Sequence, residues 1–357
     1  MSDKKTRELP RICIVAAYFG PLPPWFSLWL ASCEANRKID FLLVTDQDVF
    51  DAPGNMRVIS EGLEDVREHL RKACGAEVCL ERPYKLCDYK PLFGSAYAEE
   101  LVGYDYWGFC DVDLVFGDLA RYLQELKVWR YDKFLPLGHL FLVRNEPSAT
   151  EAWRLPLRGE QVWRTVVATE ENHAFDEVSF NGICLEHAIP TCWEHPFADV
   201  TPRQHRFTLG ARTEVRDGRF GYALGRYKNY RRQVFWWRGG RTGRTALSAG
   251  HAVEDEFMYV HFQKRHFTSE QVRVAPGDDF YFGSEGFFPM SNFNNLWCAV
   301  AVANPYGGLT DSIGGGSSML GALLQGSNAC YAEATSDLRR RHGHVLVDVC
   351  PAVGDAA

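Results

Sequence analysis

The feature that most constrains the fold lies near the start of the chain, where two apolar runs flank an amphipathic segment. Residues 11–19, RICIVAAYF, and residues 39–46, IDFLLVTD, are short apolar runs typical of strands buried on both faces. Between them, after the breaker GPLPP, residues 25–36 repeat apolar side chains at helical spacing. Strand, helix and strand in this order indicate a β-α-β unit of a parallel sheet.

Further elements follow in alternation along the first half of the chain. Apolar periodicity predicts a helix over residues 62–75 that stops at Gly75, and a second helix over 89–102. Residues 104–113 are expected to form a strand and residues 117–127 a helix. This pattern predicts an α/β fold with a mixed, mostly parallel sheet flanked by helices.

The second half of the chain has a different texture. Short strand-like runs, KFLPL and HLFLV, are followed by a helical pattern over residues 175–188. Residues 231–248 resemble a hairpin and residues 256–262 a strand. These shorter elements predict a smaller α+β portion beside the main sheet.

Composition limits the partners and the compartment. The chain has 39 Lys and Arg against 46 Asp and Glu, a formal charge of -7, so no global basic field recruits nucleic acid. Its 11 cysteines are odd in number and form no C-x-x-C pair, which favours reduced thiols over disulfides or a zinc site. No apolar stretch approaches about 18 residues. We expect a cytoplasmic protein with at most peripheral contact with the inner face of a membrane.

Two aspartates follow the third predicted strand, in YWGFCDVDLVFGDL, residues 106–119. Side chains two residues apart on a strand share one face, so Asp111 and Asp113 can converge beyond the sheet. Ligands bind at the carboxyl ends of parallel strands, and paired carboxylates suit Mg²⁺ or Mn²⁺. Asp118 is expected to begin the following helix instead.

An aspartate that closes the second strand and a D-x-D that closes a later one resemble the GT-A fold of nucleotide-sugar glycosyltransferases. The resemblance spans residues 10–265. It implies one domain over residues 9–290, with a nucleotide-sugar half at 9–145 and an acceptor half at 146–290. Residues 291–357 are rich in Gly, Ser and Ala and form a tail to which we assign no role.

The same resemblance implies residues that bind the donor. It assigns Asp46, in VTD, to the nucleoside, and Asp88 and Lys90, in YKLCDYKPLFG, to the phosphates or sugar, with Lys85 as an alternative. His139, in LGHLFLVRN, is a further candidate for the donor. Turn formation at Asp46 and ordinary surface charge at the others are the competing interpretations.

A late histidine completes the metal site implied by the resemblance. Lipopolysaccharide galactosyltransferases and glycogenins use such a histidine as third ligand and a following lysine on the diphosphate. In YVHFQKRHF these positions correspond to His261 and Lys264, although the H-x-x-G-x-x-K-P-W spacing of those families is absent. Asp111, Asp113 and His261 together favour Mn²⁺ over Mg²⁺, since imidazole suits the softer ion.

Two further groups of residues could contact the sugars. Asp176 and Glu177, just ahead of a helix, could supply the catalytic base or a contact to the donor sugar, or simply favour the helix N-terminus. A basic and aromatic set could grip an anionic glycan or lipid-linked acceptor, or form a solvated hairpin face. Its members are Arg226, Tyr227, Arg231, Arg232, Trp236, Trp237 and Arg238.

The sequence therefore predicts a metal-dependent glycosyltransferase that uses a UDP-sugar and a glycan or lipid-linked acceptor, in bacterial surface polysaccharide synthesis. One alternative is a haloacid-dehalogenase-type phosphatase, because DVDLV also fits its first motif. Asp111 would then be the nucleophile and Asp113 the general acid/base, with residues 277–279, GDD, as the last acidic motif. A catalytically inactive sugar-binding relative that retains the metal site is the other alternative.

Overall fold

The computed structural model of the chain describes residues 8–202, 207–210, 212–216, 219–223, 228–230, 232–248, 251–293 and 296–304. The strands are β1 (Ile12–Tyr18), β2 (Asp40–Thr45), β3 (Met56–Ser60), β4 (Tyr106–Cys110), β5 (Leu114–Phe116), β6 (Lys133–Phe134), β7 (Leu140–Arg144), β8 (Thr191–Cys192), β9 (Ala198–Asp199), β10 (Arg212–Arg216), β11 (Arg219–Ala223), β12 (Gln233–Arg238), β13 (Arg241–Ser248), β14 (His251–Phe257), β15 (Tyr259–His261), β16 (Phe280–Gly283) and β17 (Gly286–Pro289). The α-helices are α1 (Phe26–Glu34), α2 (Leu63–Cys74), α3 (Leu86–Tyr89), α4 (Phe93–Ala96), α5 (Leu119–Glu125), α6 (Pro147–Thr150), α7 (Val162–Ala168), α8 (Phe180–Glu186) and α9 (Leu296–Ala303). A π-helical turn at Phe175–Ser179 leads into α8.

The main sheet has seven strands in the order β3-β2-β1-β4-β7-β6-β8. The first four run parallel to one another, β7 is antiparallel to both of its neighbours, and β8 is parallel to β6. The predicted α/β class with a mixed, mostly parallel sheet is therefore confirmed. The carboxyl ends of β1 and β4 lie at one edge of this sheet, beside the start of antiparallel β7.

Apolar residues cover both faces of the main sheet, which explains the uninterrupted apolar runs. In β1, Cys13 and Val15 pack into one buried cluster, while Ile12 and Ile14 pack into the other. Strand β2 divides in the same way. Successive side chains of a strand point to opposite faces, so a strand covered on both sides must be apolar throughout.

Some predicted elements differ from the structure for local reasons. The helix expected over 89–102 breaks into a single turn of 3₁₀ helix at Lys90–Leu92, which contains Pro91, and the four-residue α4. Strand β3 has no sequence prediction because its residues are partly exposed and include Arg57, whose side chain is 54% exposed. The strand expected over 104–113 ends at Cys110.

Three smaller sheets complete the described part of the chain, one of them the antiparallel pair of β10 and β11. Strands β5, β15 and β9 form a three-stranded sheet, and β14-β13-β12-β16-β17 form an antiparallel five-stranded sheet. The hairpin predicted over 231–248 is confirmed as β12 and β13, which pair through a turn at Gly239 and Gly240, both with positive φ. The strand expected over 256–262 divides into the end of β14 and β15.

The beginning of the expected tail packs against the five-stranded sheet. Val300 and Ala303 of α9 share a buried cluster with Val234 and Phe288. Residues 305–357 lie outside the described residues. None of the helices in the described ranges has the length and apolar character needed to cross a bilayer.

A close helix–sheet contact gives the first stability prediction. A Cβ at Gly94 of α4 would overlap the indole ring of Trp107 in β4, which is completely buried. We expect Gly94→Ala to lower the free energy of unfolding by about 2 to 3 kcal/mol through overpacking. Gly54→Ala is the control, because a Cβ there meets nothing within 4 Å. Equal urea midpoints for both variants would contradict this prediction.

Candidate functional site

A cleft of about 420 Å³ lies at the carboxyl ends of β1 and β4. Its lining includes the end of β1, the segment after β4, the start of the π-helical turn and the ends of β9 and β15. Five carboxylates and two lysines line it: Asp111, Asp113, Asp176, Glu177, Asp199, Lys90 and Lys264. This is the edge where open α/β sheets bind ligands.

The structure brings the two D-x-D aspartates into this cleft, but not on a strand. Asp111 and Asp113 lie in the short connection between β4 and β5. The amide of Asp111 donates to the carbonyl of His139 at 3.0 Å, which continues the β4–β7 ladder by one residue. The two aspartates therefore converge because the chain bends after β4. They do not converge because they lie two residues apart on one strand, as the sequence predicted.

His261 reaches Asp113 through the small three-stranded sheet. In β15, His261 is in register with Leu114 of β5 and with Asp199 of β9. Its Nε2 lies 3.5 Å from Asp113 Oδ1, and its Nδ1 lies 2.9 Å from Asp199 Oδ1. Asp199 thus fixes the ring so that Nε2 faces Asp113.

Burial and charge determine the protonation of this pair. Burial lowers the pKa of His261, but the carboxylates of Asp113 and Asp199 outweigh it and raise the pKa to about 10. Burial raises the pKa of Asp113, whereas His261 and Lys90 lower it, and the net direction is downward. With no cation bound, the two groups form an ion pair.

Lys90 connects the D-x-D to the π-helical turn. Its Nζ lies 2.8 Å from Asp111 Oδ1, 3.4 Å from Asp176 Oδ2 and 3.0 Å from the carbonyl of Gly138. Burial lowers the pKa of Lys90, but Asp111 and the neighbouring acidic groups raise it well above the usual value. The side chain therefore remains a buried cation between two carboxyl groups.

Asp176 and Glu177 lie in the π-helical turn Phe175–Ser179 instead of an ordinary helix. Such turns are frequent at functional sites. Burial raises the pKa of Asp176 well above its usual value, and Lys90 offsets only part of the shift. Gly138 packs so closely on this turn that a Cβ there would overlap the Asp176 carboxyl.

His139 lies beneath the metal-ligand candidates and lines the cleft. Its ring packs against that of His261 with centroids 4.2 Å apart and planes tilted by 34°, and its Nδ1 lies 3.0 Å from the hydroxyl of Tyr259. Burial lowers the pKa of His139 well below its usual value, and His261 and Lys90 lower it further. The ring is therefore neutral.

Two residues expected to bind the donor do not line the cleft. Asp46 accepts the amide of Gly20 at 2.9 Å and thereby ties the loop after β1 to the end of β2. Asp88 is completely buried and bonds to Lys85 and to backbone amides of the segment before the π-helical turn. Lys85 is also buried. These contacts favour structural roles for all three.

The remaining predicted residues lie at separate places in the structure, and only Lys264 among them lines the cleft. Lys264 lines the cleft, with a left-handed backbone at φ 54. Asp118 caps α5 by accepting the amide of Arg121 at 3.0 Å, as expected. Asp279 accepts the amide of Gly239 at 2.9 Å, and residues 277–279 do not line the cleft, which removes the last acidic motif of the phosphatase alternative from this site.

The described members of the basic and aromatic set do not form one surface. Trp236 and Trp237 are buried in the core, and Arg238 stacks on the Trp236 ring at 4.7 Å. Arg226, Tyr227 and Arg231 lie outside the described residues.

Several cleft residues have no sequence prediction. Asp199 ends a strand of two residues, which has no periodicity to detect. Tyr18 and Trp25 line the cleft beside apolar runs, where aromatic side chains usually signal core packing, and Tyr84 lines it from the polar stretch ERPYK. The end of β1 at Tyr18 and the start of α1 after Trp25 are the local signals that could have distinguished the first two.

The donor set fits a divalent cation. One ligand atom each from Asp111, Asp113 and His261 lies within 4.8 Å of the others. Two bonds of about 2.1 Å at right angles span about 3 Å, so the 3.5 Å between Asp113 and His261 needs only a small adjustment. Two carboxylates with one imidazole suit Mn²⁺.

Fold and site together define an α/β protein whose carboxylate–histidine cleft lies at the carboxyl edge of a mostly parallel sheet. The chain belongs to the family of unknown function DUF6625, whose model matches residues 14–291. No curated protein sequence matches the chain.

Solved structures similar to the chain include three glycosyltransferases. The galactosyltransferase LgtC with donor and acceptor sugar analogues is 12% identical over 55% of this chain and 75% of LgtC, with a TM-score of 0.28. Mouse xyloside xylosyltransferase 1 is 9% identical over 53% and 88% of the two chains, with a TM-score of 0.36. GlyE of Streptococcus pneumoniae TIGR4 is 13% identical over 51% and 45%, with a TM-score of 0.28. Since these TM-scores are low, the function must be argued from the cleft itself.

Proposed function

We propose that this protein is a metal-dependent GT-A glycosyltransferase that moves a sugar from a UDP-sugar to a glycan or lipid-linked acceptor. The observation that carries the proposal is the convergence of Asp111, Asp113 and His261 within 4.8 Å, in a cleft that also holds Lys90. The cleft has five carboxylates against two lysines and the protonated His261, so its carboxylates repel a diphosphate until a further cation is present. A cation held by these three residues removes that repulsion.

Glycosyl transfer breaks the bond between the anomeric carbon and the diphosphate, so negative charge grows on the departing phosphate. A divalent cation, when bound, supplies positive charge to that phosphate. Lys90 supplies a second, fixed positive charge from a position that is 5% exposed, where little solvent screens it. Lys264 adds a third cation on the lining of the cleft.

Asp176 and Glu177 serve the sugar side of the cleft. They accept hydrogen bonds from donor hydroxyl groups, or one of them accepts the acceptor's proton as general base. Burial raises the pKa of Asp176, and a raised pKa makes a carboxylate a stronger proton acceptor. His139, which is neutral and buried, contributes to the floor beneath the metal ligands.

The cysteine pattern favours the cytoplasm, and we place the reaction there, at the inner face of the membrane, as a step of bacterial surface polysaccharide synthesis. The nucleotide base of the donor, the transferred sugar and the acceptor are the parts of this proposal that experiments must test.

The proposal is tested by calorimetric titration of UDP into the purified protein with and without Mn²⁺, followed by a panel of UDP-sugars assayed for UDP release. UDP binding that requires Mn²⁺, with turnover of at least one UDP-sugar, is the expected result. Binding without any turnover would favour the inactive relative. Absence of UDP binding, together with hydrolysis of p-nitrophenyl phosphate, would replace the proposal by phosphatase chemistry.

The contact between Gly138 and Asp176 gives a site-specific prediction. Gly138→Ala forces the Asp176 carboxyl away from Lys90, so we expect UDP release from the donor to fall about 10- to 100-fold. Mn²⁺ binding should persist, because the metal ligands are not displaced.

Gly210→Ala is the matched control, since Gly210 lines the same cleft but its Cβ would approach other atoms no closer than 3.5 Å. The control is expected to stay within about threefold of wild type. Equal activity of the two variants would show that the position of Asp176 does not matter to the reaction.

A further inference from the structure

Asp88 and Lys90 lie two residues apart but face different parts of the molecule. Lys90 points into the cleft, whereas the Asp88 side chain is completely buried at 0% exposure. Asp88 Oδ1 accepts the amide of Phe175 at 2.9 Å, and Oδ2 accepts the amide of His173 at 2.8 Å and Lys85 Nζ at 2.9 Å. Both oxygens are therefore committed to protein partners.

The segment that Asp88 holds is irregular and leads directly into the site. Ala174 has a left-handed backbone at φ 49, an uncommon conformation for a residue with a Cβ. Lys85 Nζ also donates to the carbonyl of Glu171. Two buried side chains on one short stretch thus bind three backbone groups of the neighbouring loop.

This loop has no regular hydrogen-bond ladder of its own between Glu170 and the π-helical turn. Fixing such a backbone costs conformational entropy, so its position depends on the partners that hold it. A buried carboxylate offers two charge-assisted acceptors to adjacent amides, which an apolar side chain cannot. The Lys85–Asp88 pair is therefore well suited to orient this loop.

We propose that Asp88 is a positioning residue: with Lys85, it fixes the backbone at 173–175 against α3 and so sets the distance between Lys90 and Asp176. The geometry follows from the chain, because Asp176 is the next residue after Phe175 and Lys90 is two residues after Asp88. The resulting separation of Lys90 Nζ and Asp176 Oδ2 is 3.4 Å. The catalytic consequence rests on the function proposed for the cleft, whereas the clamp itself does not.

A second anchor holds the other side of the same turn, which limits how far it can move. Asn181 Nδ2 donates to the carbonyls of Pro136 and Glu177, and Asn181 Oδ1 accepts Lys133 Nζ at 2.7 Å. Loss of Asp88 therefore frees the residues before Asp176 while the residues after it stay in place. We expect displacement of the Asp176 side chain and not unfolding of the turn.

The test uses Asp88→Asn and Asp88→Glu in the full chain. Asp88→Asn keeps one acceptor oxygen but puts a side-chain NH₂ group, itself a donor, among the three donors that Asp88 binds. The second keeps the charge that Lys85 requires, so it folds, but moves the acceptors by about one methylene. We expect kcat to fall about 10- to 100-fold in both, while the donor KM and the UDP Kd in Mn²⁺ stay within about threefold.

Glu170→Gln is the matched control. Glu170 joins the same two segments by accepting the amides of Glu81 and Arg82 at 2.7 and 3.1 Å, and it does not line the cleft. Glu170→Gln should weaken the contact between these two segments without changing kcat by more than about threefold. A donor-contacting Asp88 would instead raise KM and Kd, and a merely structural one would leave kcat of the folded variants unchanged; either result overturns the proposal.

Hydrogen–deuterium exchange provides a readout that does not depend on turnover. Amides of residues 173–175 should exchange faster in Asp88→Asn than in wild type, while those of α8 should not change. Unchanged exchange at 173–175 overturns the clamp even if activity falls. If wild type transfers no sugar from any donor, the proposed function fails, and the exchange data still decide whether Asp88 holds the loop.

Discussion

Replacing Asp113 by asparagine is expected to abolish Mn²⁺-dependent binding of UDP and to lower sugar transfer by about 10³-fold. In the proposed metal site Asp113 supplies one oxygen ligand, and its Oδ1 lies 3.5 Å from His261 Nε2. Asparagine keeps the shape but removes the negative charge, and its amide can turn a donor toward the cation. Calorimetric titrations of Mn²⁺ and then UDP measure the binding, and UDP release from the donor measures the transfer.

The control for this variant lies five residues further along the chain. Asp118→Asn keeps the cap of α5, because asparagine caps helices about as well as aspartate. It removes one negative charge at a similar place in the sequence without touching the cleft. We expect wild-type Mn²⁺ binding and activity. If Asp113→Asn behaved like Asp118→Asn, the metal would have to be held elsewhere, and the proposed role of the D-x-D would be wrong.

The parts of the fold that sequence predicted best are those buried on both faces. Strands β1, β2 and β4 are uninterrupted apolar runs, and burial between two layers leaves little else that they could be. Helix α2 was equally clear, since Val66, Leu70 and Cys74 mark one face and Gly75 ends it in a left-handed conformation. Local pattern and tertiary burial agree in these elements.

Short elements whose partners are distant in sequence were not predicted. Strand β5 has three residues and β9 has two, and both are stabilised by β15, far along the chain. Propensity over two or three residues is too weak to detect such strands. The pairing of His261 with Asp199 follows from this small sheet, so no local pattern could have found it.

The residues of the candidate site also divide into those whose location the sequence predicted and those whose location it did not. The resemblance to GT-A enzymes implied that Asp111, Asp113, His261, Lys90 and the pair at 176–177 share one site, and all of them line one cleft, while their roles stay predictions. Asp88 was expected beside Lys90 in the site, but short helices turn by about 100° per residue, and two residues of separation place it on the opposite side. The residue types therefore indicated the correct structural element for Asp88, but not the face of that element on which its side chain lies.

The second large effect is expected at Lys90. Lys90→Met should leave Mn²⁺ binding intact or slightly tighter, because Asp111 loses the ammonium that lies 2.8 Å from its Oδ1. Sugar transfer should nevertheless fall about 10²- to 10³-fold, since the variant withdraws a fixed cation from the departing diphosphate. Titration of Mn²⁺ together with UDP-release kinetics would separate these opposite effects, which distinguishes this variant from Asp113→Asn.

The role proposed for Lys90 depends on its positive charge and not on its shape. Lys90→Arg should therefore retain part of the sugar transfer that Lys90→Met loses. Lys72→Met, on the exposed side of α2 at 67% exposure, controls for the loss of a lysine and should behave as wild type. Both cleft variants should fold, because the Asp111 side chain is 30% exposed and the buried Asp176 can take up a proton when its cation is removed. If Lys90→Met lost Mn²⁺ binding along with activity, Lys90 would have to be supporting the ligand geometry of Asp111 and not the leaving phosphate, and the role proposed for its charge would be wrong.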